Sequence, residues 1–129
     1  MEIQDFYTNL GKGGCLAIDY AIAALDGNLD WREITNKIFE AKDNGAFDDE
    51  IFVYNPLGFG LKDVQKKSSL EKCKGEYAAA NYVFGKKNHF MLYKKVADGY
   101  YEPYYNSLES SQCVKYGRVT DVRDIYIYH

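Results

Sequence analysis

The apolar residues follow two different rhythms, and the change between them comes near residue 77. Residues 15–25 read Cys-Leu-Ala-Ile-Asp-Tyr-Ala-Ile-Ala-Ala-Leu. A segment apolar on nearly every side predicts a helix buried in the middle of a small domain. It stops at Asp26-Gly27-Asn28, a cluster of helix breakers. Asp19 and Tyr20 are its polar interruptions, and Asp19 is expected on the outer edge, solvated or hydrogen-bonded, because a buried acid needs a partner. Asp30 with Glu33 then opens a second, amphipathic helix in the manner of a capping box. In it Trp31, Ile34, Ile38 and Phe39 recur at helical spacing until Asn44-Gly45, with Trp31 expected to pack on the core. Residues 3–9 read as an irregular or extended lead-in, residues 61–69 as a short lysine-bearing surface helix, and Asp48-Asp49-Glu50 as a solvated turn, since these acids lack the alternating spacing of a calcium loop.

From residue 77 the period shortens to two. Residues 77–84 are small, aromatic and β-branched, Gly85-Lys86-Lys87 makes a turn, and residues 88–96 alternate as a strand. Asp98-Gly99 is a two-residue hairpin signal leading into residues 100–104. A loop carrying Asn106, Ser107 and Ser110 follows, and a last strand over residues 119–128 closes the chain after Gly117. Helices first and an antiparallel meander second predict one α+β domain over residues 1–129, with N-terminal helices packed on a C-terminal antiparallel sheet. Tyr100, Tyr101, Tyr104 and Tyr105 are expected to cover a face of that sheet.

Charge and cysteine content narrow the function classes. A net charge of −3 with no lysine or arginine stripe argues against nucleic acid as a partner. The start, Met1-Glu2-Ile3-Gln4-Asp5, has no basic, then apolar, signal pattern, and no stretch is long enough to cross a bilayer, so a cytoplasmic protein without membrane insertion is expected. The three cysteines, Cys15, Cys73 and Cys113, are odd in number and contain no Cys-x-x-Cys pair, so neither a disulfide framework nor a zinc site is expected.

The candidate chemistry begins at Cys15. Gly13 and Gly14 precede it, and the predicted helix starts on it. Unpaired amides and the positive dipole end at a helix N-terminus lower a thiol pKa, and glycines without Cβ atoms let a substrate backbone come close. His89 lies at the start of the central hairpin strand, in Asn88-His89-Phe90-Met91-Leu92-Tyr93, with its ring expected at the sheet's edge, where it would meet that helix start. Imidazole suits an acid and base role near neutral pH, and a cysteine with a histidine is the pair that activates a thiol. A third group that holds the ring is expected on the next strand. Glu102 is preferred because Pro103 keeps it extended, and Asn106 is the alternative. His129 is given no role.

Cys15 opening a buried helix, His89-Phe90 running into an apolar strand, and Glu102-Pro103 on the following strand resemble the papain-like cysteine peptidase superfamily, and most of all its bacteriocin-processing, double-glycine leader branch. The resemblance implies a papain-like fold and hydrolysis of a peptide or amide bond. Cys15 would be the nucleophile, His89 the general base and acid, and Glu102 or Asn106 the group that orients the ring. It also implies an oxyanion donor upstream of the cysteine, where this chain offers Asn9, with Gln4 further away. No metal or organic cofactor is implied, and the partner would be a peptide or protein substrate. Two other readings use the same order of residues: a papain-like binding or regulatory module with a degenerate site, and a cell-wall amidase of the NlpC type.

Overall fold

A computed structural model describes residues 14–49, 51–107 and 111–128. Gln4, Asn9 and His129, and the residue 3–9 lead-in, lie outside the described residues. The described chain forms helix α1 (Cys15–Ala24) and helix α2 (Trp31–Asp43), then strands β1 (Asp63–Lys67), β2 (Tyr77–Phe84), β3 (Lys87–Ala97) and β4 (Tyr100–Tyr105). A short helix α3 (Gln112–Tyr116) and strand β5 (Arg118–Tyr126) complete it. The architecture is α+β, with one antiparallel sheet of five strands in the order β1-β5-β2-β3-β4.

Helix α1 is the centre. Every residue from Ala17 to Ala23 is buried, as expected of a helix with no polar face. Its end is set by Asp26 and Gly27, both in left-handed conformation at φ 51° and 85°. Two tyrosines tie that end to the sheet. Tyr77 donates to Asp26 Oδ1 at 3.0 Å and Tyr104 donates to the Gly27 carbonyl. Any Cβ at Gly27 would meet both hydroxyls at 2.7 and 2.8 Å, so glycine serves there for conformation and for room.

Helix α2 begins as its cap predicts, with the Asp30 carboxylate accepting from the Arg32 and Glu33 amides. Ile34, Ile38 and Ala41 form its buried stripe. Trp31 lies on the same stripe but is 55% exposed, which corrects the expectation that it packs. Helical side chains lean toward the N-terminus, so a residue at the first position projects past the surface its helix covers.

The turns at Gly85 and Gly99 carry the positive φ that tight hairpins need. Residues 61–69 are corrected from a surface helix to β1. Val64 stands opposite Ile125 on β5 and packs against the helix-side core, and this pairing overrides the helical preference of the lysines and glutamine around it. The sheet is covered on both sides. Tyr77, Ala79, Phe90, Leu92 and Ile125 join the helices in one core, while Ala78, Ala80, Tyr93, Val122 and Cys73 form a second.

The outer core is closed by the segment before β2, which is fastened to a buried carboxylate. Asp124 accepts from the Lys74 and Gly75 amides and from the Tyr126 hydroxyl, and lies 3.3 Å from Lys67 Nζ. Gly75 fits so tightly that a Cβ there would stand 2.0 Å from the Ile125 carbonyl oxygen. Backbone cannot yield as a flexible side chain can, so Gly75→Ala should cost about 3 kcal/mol of stability, read as a lowered urea midpoint with unchanged slope. Gly85→Ala, which meets nothing within 4 Å, should lose less, through its positive φ alone.

Candidate functional site

Cys15 occupies the first position of α1, capped by the buried Gly14 with no side-chain capping bond. The cysteine is half-buried, and burial pushes its thiol pKa up. Hydrogen bonding from the Phe90 backbone, and less from the Leu16 and Cys15 amides, pulls it back down, while Asp19 adds to the rise. The net direction is upward, which corrects the expectation of a lowered thiol. The helix-start amides act as expected, but desolvation of the sulfur outweighs them.

His89 lies one residue before Phe90, so the chain that meets the sulfur also carries the imidazole. In the ladder His89 stands opposite Tyr82, which packs in the outer core, whereas Phe90 belongs to the helix-side core. Alternation therefore aims the ring to the outer side of the sheet, away from the side on which α1 lies. β4 pairs with β3 only from Leu92, opposite Tyr105, onward. Beyond that point Asn106 takes over, and its Oδ1 lies 2.7 Å from His89 Nε2. With oxygen at that position Nε2 is the donor, so in the neutral ring the lone pair falls on Nδ1.

Asn106, not Glu102, is thus the residue joined to the ring. Glu102 is exposed and stands opposite Lys94, five positions along β3 from His89 and so roughly 17 Å away at strand spacing. Proline does hold Glu102 extended, but at the wrong height on the sheet. The expected oxyanion donors Asn9 and Gln4 fall outside the described residues, which leaves the Cys15 amide at the helix start as the donor on view.

A polar chain backs Phe90 from the helix side. Asn88 donates to Asn81, Asn81 donates to Asp121, and Asp121 pairs with Arg123. The Arg123 guanidinium lies 5.4 Å from the centre of the Phe90 ring, a cation–π distance, and hydrogen-bonds Tyr20 on α1. Burial opposes the Asp121 charge, but bonds from Asn81 and Thr120 and the pull of Arg123 hold its carboxyl below the ordinary range. Sequence reasoning passed over this brace. The spacing Asp121-x-Arg123, which puts both side chains on one strand face, was the signal for it.

Asp19 is the other surprise. It has no exposure, and neither carboxyl oxygen has a hydrogen-bond partner among the described residues. The expectation of a solvated or bonded edge residue is corrected: α1 has no outer edge, because all its sides from Ala17 to Ala23 are covered. Burial raises the Asp19 pKa well above the ordinary carboxyl value.

The four tyrosines of β4 do not share a face. Tyr101 donates to the Gly75 carbonyl at 2.5 Å and packs with the outer core, Tyr104 and Tyr105 pack with the helix-side core, and Tyr100 is exposed. All three cysteines are free thiols, and burial pushes Cys73 up to about 12. Among the described residues no cluster of three or more His, Cys, Asp or Glu could hold a metal ion, and no helix is long and apolar enough to cross a membrane. No protein-family model, curated protein or solved structure matches the chain.

The Asp19 carboxyl carries a pH-dependent cost. Its folded pKa lies above the unfolded one near 3.9, so its contribution to stability is intact below about pH 4 and is lost as pH rises, by up to ~1.4 kcal/mol per unit until the folded group ionises. Asp19→Asn should therefore gain stability over the parent progressively as pH rises above about 4. Urea unfolding at several pH values measures this, and parallel curves for the two proteins would contradict it.

Proposed function

We propose that the chain is a thiol-dependent amide hydrolase of papain-like kind, with Cys15 as nucleophile, His89 as base and acid, and Asn106 as the group that holds the ring. The observation that carries this reading is the 2.7 Å bond from His89 Nε2 to Asn106 Oδ1, one residue from Phe90, whose backbone pulls the Cys15 thiol pKa down. That bond selects the tautomer a base needs, with Nδ1 unprotonated. Because the ring leans to the outer side of the sheet and the sulfur lies on the inner, their meeting place is the length of β3 beyond the end of β4.

In this mechanism the thiol proton passes to Nδ1 as the sulfur attacks an amide carbonyl. The carbonyl oxygen becomes an oxyanion, held by the Cys15 amide at the start of α1. The imidazolium then protonates the leaving amine, and the neutral ring deprotonates the water that releases the acid. A thiol raised by burial makes the base indispensable, since little thiolate forms without it. The substrate is a peptide or protein, and neither metal nor organic cofactor takes part in the proposed steps.

A second reading has an observation of its own. The raised thiol and the outward-leaning imidazole are what a degenerate site would show, and they favour a binding module on the same fold. An electrophilic peptide probe separates the two. For an enzyme, Cys15→Ala should abolish labelling, while Cys73→Ala and Cys113→Ala leave it intact. His89→Ala should slow it by about 10²–10⁴-fold, Asn106→Ala should slow it less, and Glu102→Ala should not change it. Equal labelling of all three cysteines, or indifference to His89, would leave the binding module.

A further inference from the structure

A buried carboxyl that the proposed reaction does not use lies on the helix that carries the nucleophile. Asp19 follows Cys15 by four residues, the spacing that stacks side chains on one helix face about 5–6 Å apart at Cβ, and helical side chains lean toward the N-terminus, here toward Cys15. Its carboxyl is sealed from water, and neither oxygen has a hydrogen-bond partner among the described residues. We propose that Asp19 is a positioning residue that governs ionisation at Cys15: the carboxyl and the thiol share a site that holds one negative charge, so a charged Asp19 keeps the sulfur protonated.

Among the described residues the surroundings leave no nearer group to do this. On α1 itself Asp19 neighbours Cys15 and Tyr20, and from β4 Tyr105 feels its charge. Arg123 and Asp121 of β5 bear on Tyr20 and are already paired with each other. His89 comes from β3, bound to Asn106. The buried residues that α2 contributes, Ile34, Ile38 and Ala41, are apolar. No cation therefore bonds the carboxyl among the described residues. As pH rises the site releases one proton to solvent from the carboxyl, and release of the second, from the thiol, must work against the charge already present. Asp19 accordingly holds back the thiolate that His89 is needed to generate.

This inference rests on the position of Cys15 and not on turnover, so it is tested by alkylation rather than hydrolysis. The rate of iodoacetamide modification at Cys15, resolved by mass spectrometry from Cys73 and Cys113, is followed against pH in the full chain. Asp19→Asn and Asp19→Leu both remove the charge, and each should move the midpoint down by about one pH unit, giving about a tenfold gain in reactivity below both midpoints. Asp19→Glu should keep the parental profile. The shift should persist in a His89→Ala background, which removes the imidazole as its source. Profiles of the Asn and Leu variants that superimpose on the parent, or a Glu variant that shifts with them, would overturn the proposal. If the midpoint moves while no peptide is cleaved, the coupling holds and the hydrolase reading falls.

Discussion

Everything in this molecule is arranged around the burial of α1. A helix covered from Ala17 to Ala23 on all sides has no solvent face to adjust, so its place is decided by what packs on it. The sheet contributes Tyr77, Ala79, Phe90, Leu92 and Ile125 to the core around α1. Tyr77 and Tyr104 fasten its C-terminal end through Asp26 and Gly27. With that end pinned and the middle enclosed, the first residue has little freedom, and the first residue is Cys15. The position of Cys15 is thus set by packing at the far end of the element.

The same burial explains why the thiol and Asp19 behave as they do. Full burial of an isoleucine is worth about 1.5–3 kcal/mol, and a buried polar group without a bond costs about 1–3 kcal/mol. Ile18 and Ile22, both buried beside Asp19, together outweigh one neutral, unbonded carboxyl. The helix can therefore carry a neutral Asp19 inside without losing its place, and ionisation of the acid as pH rises costs stability. The same burial disfavours charge on Cys15, and a charge on Asp19 disfavours it further. The helix-start amides do favour a thiolate, but they work against desolvation, and desolvation is the larger effect.

Much of this was readable in the residues, and the failures have common causes. The hairpin turns at Gly85 and Gly99, the Asp30 cap and the breakers after α1 are local devices, and local devices show in sequence. The strand nature of residues 63–67 is not local, because it comes from β5, sixty positions away. Trp31 obeyed the helical period, but period says nothing of where the partner surface ends. A polar residue on a helix predicts an edge, and α1 has none, so Asp19 lies inside. The ring-holding residue turned on height along the sheet: Glu102 and Asn106 lie in one segment, and only the β3–β4 register places Asn106 beside His89 and Glu102 beside Lys94.

That register also bears on how Cys15 and His89, from opposite sides of the sheet, could act together as proposed. A continuous ladder would keep them apart, since a sheet interior gives side chains no route from one face to the other. β4 leaves β3 at Leu92, and His89 lies just beyond. The polar chain from Asn88 to Arg123 steadies this length of β3 from the helix side through the Phe90 ring, while Asn106 steadies it from the other through His89. A strand end braced from both faces holds its backbone fixed. In the proposed arrangement the early end of β4 matters as much as the identity of the three side chains.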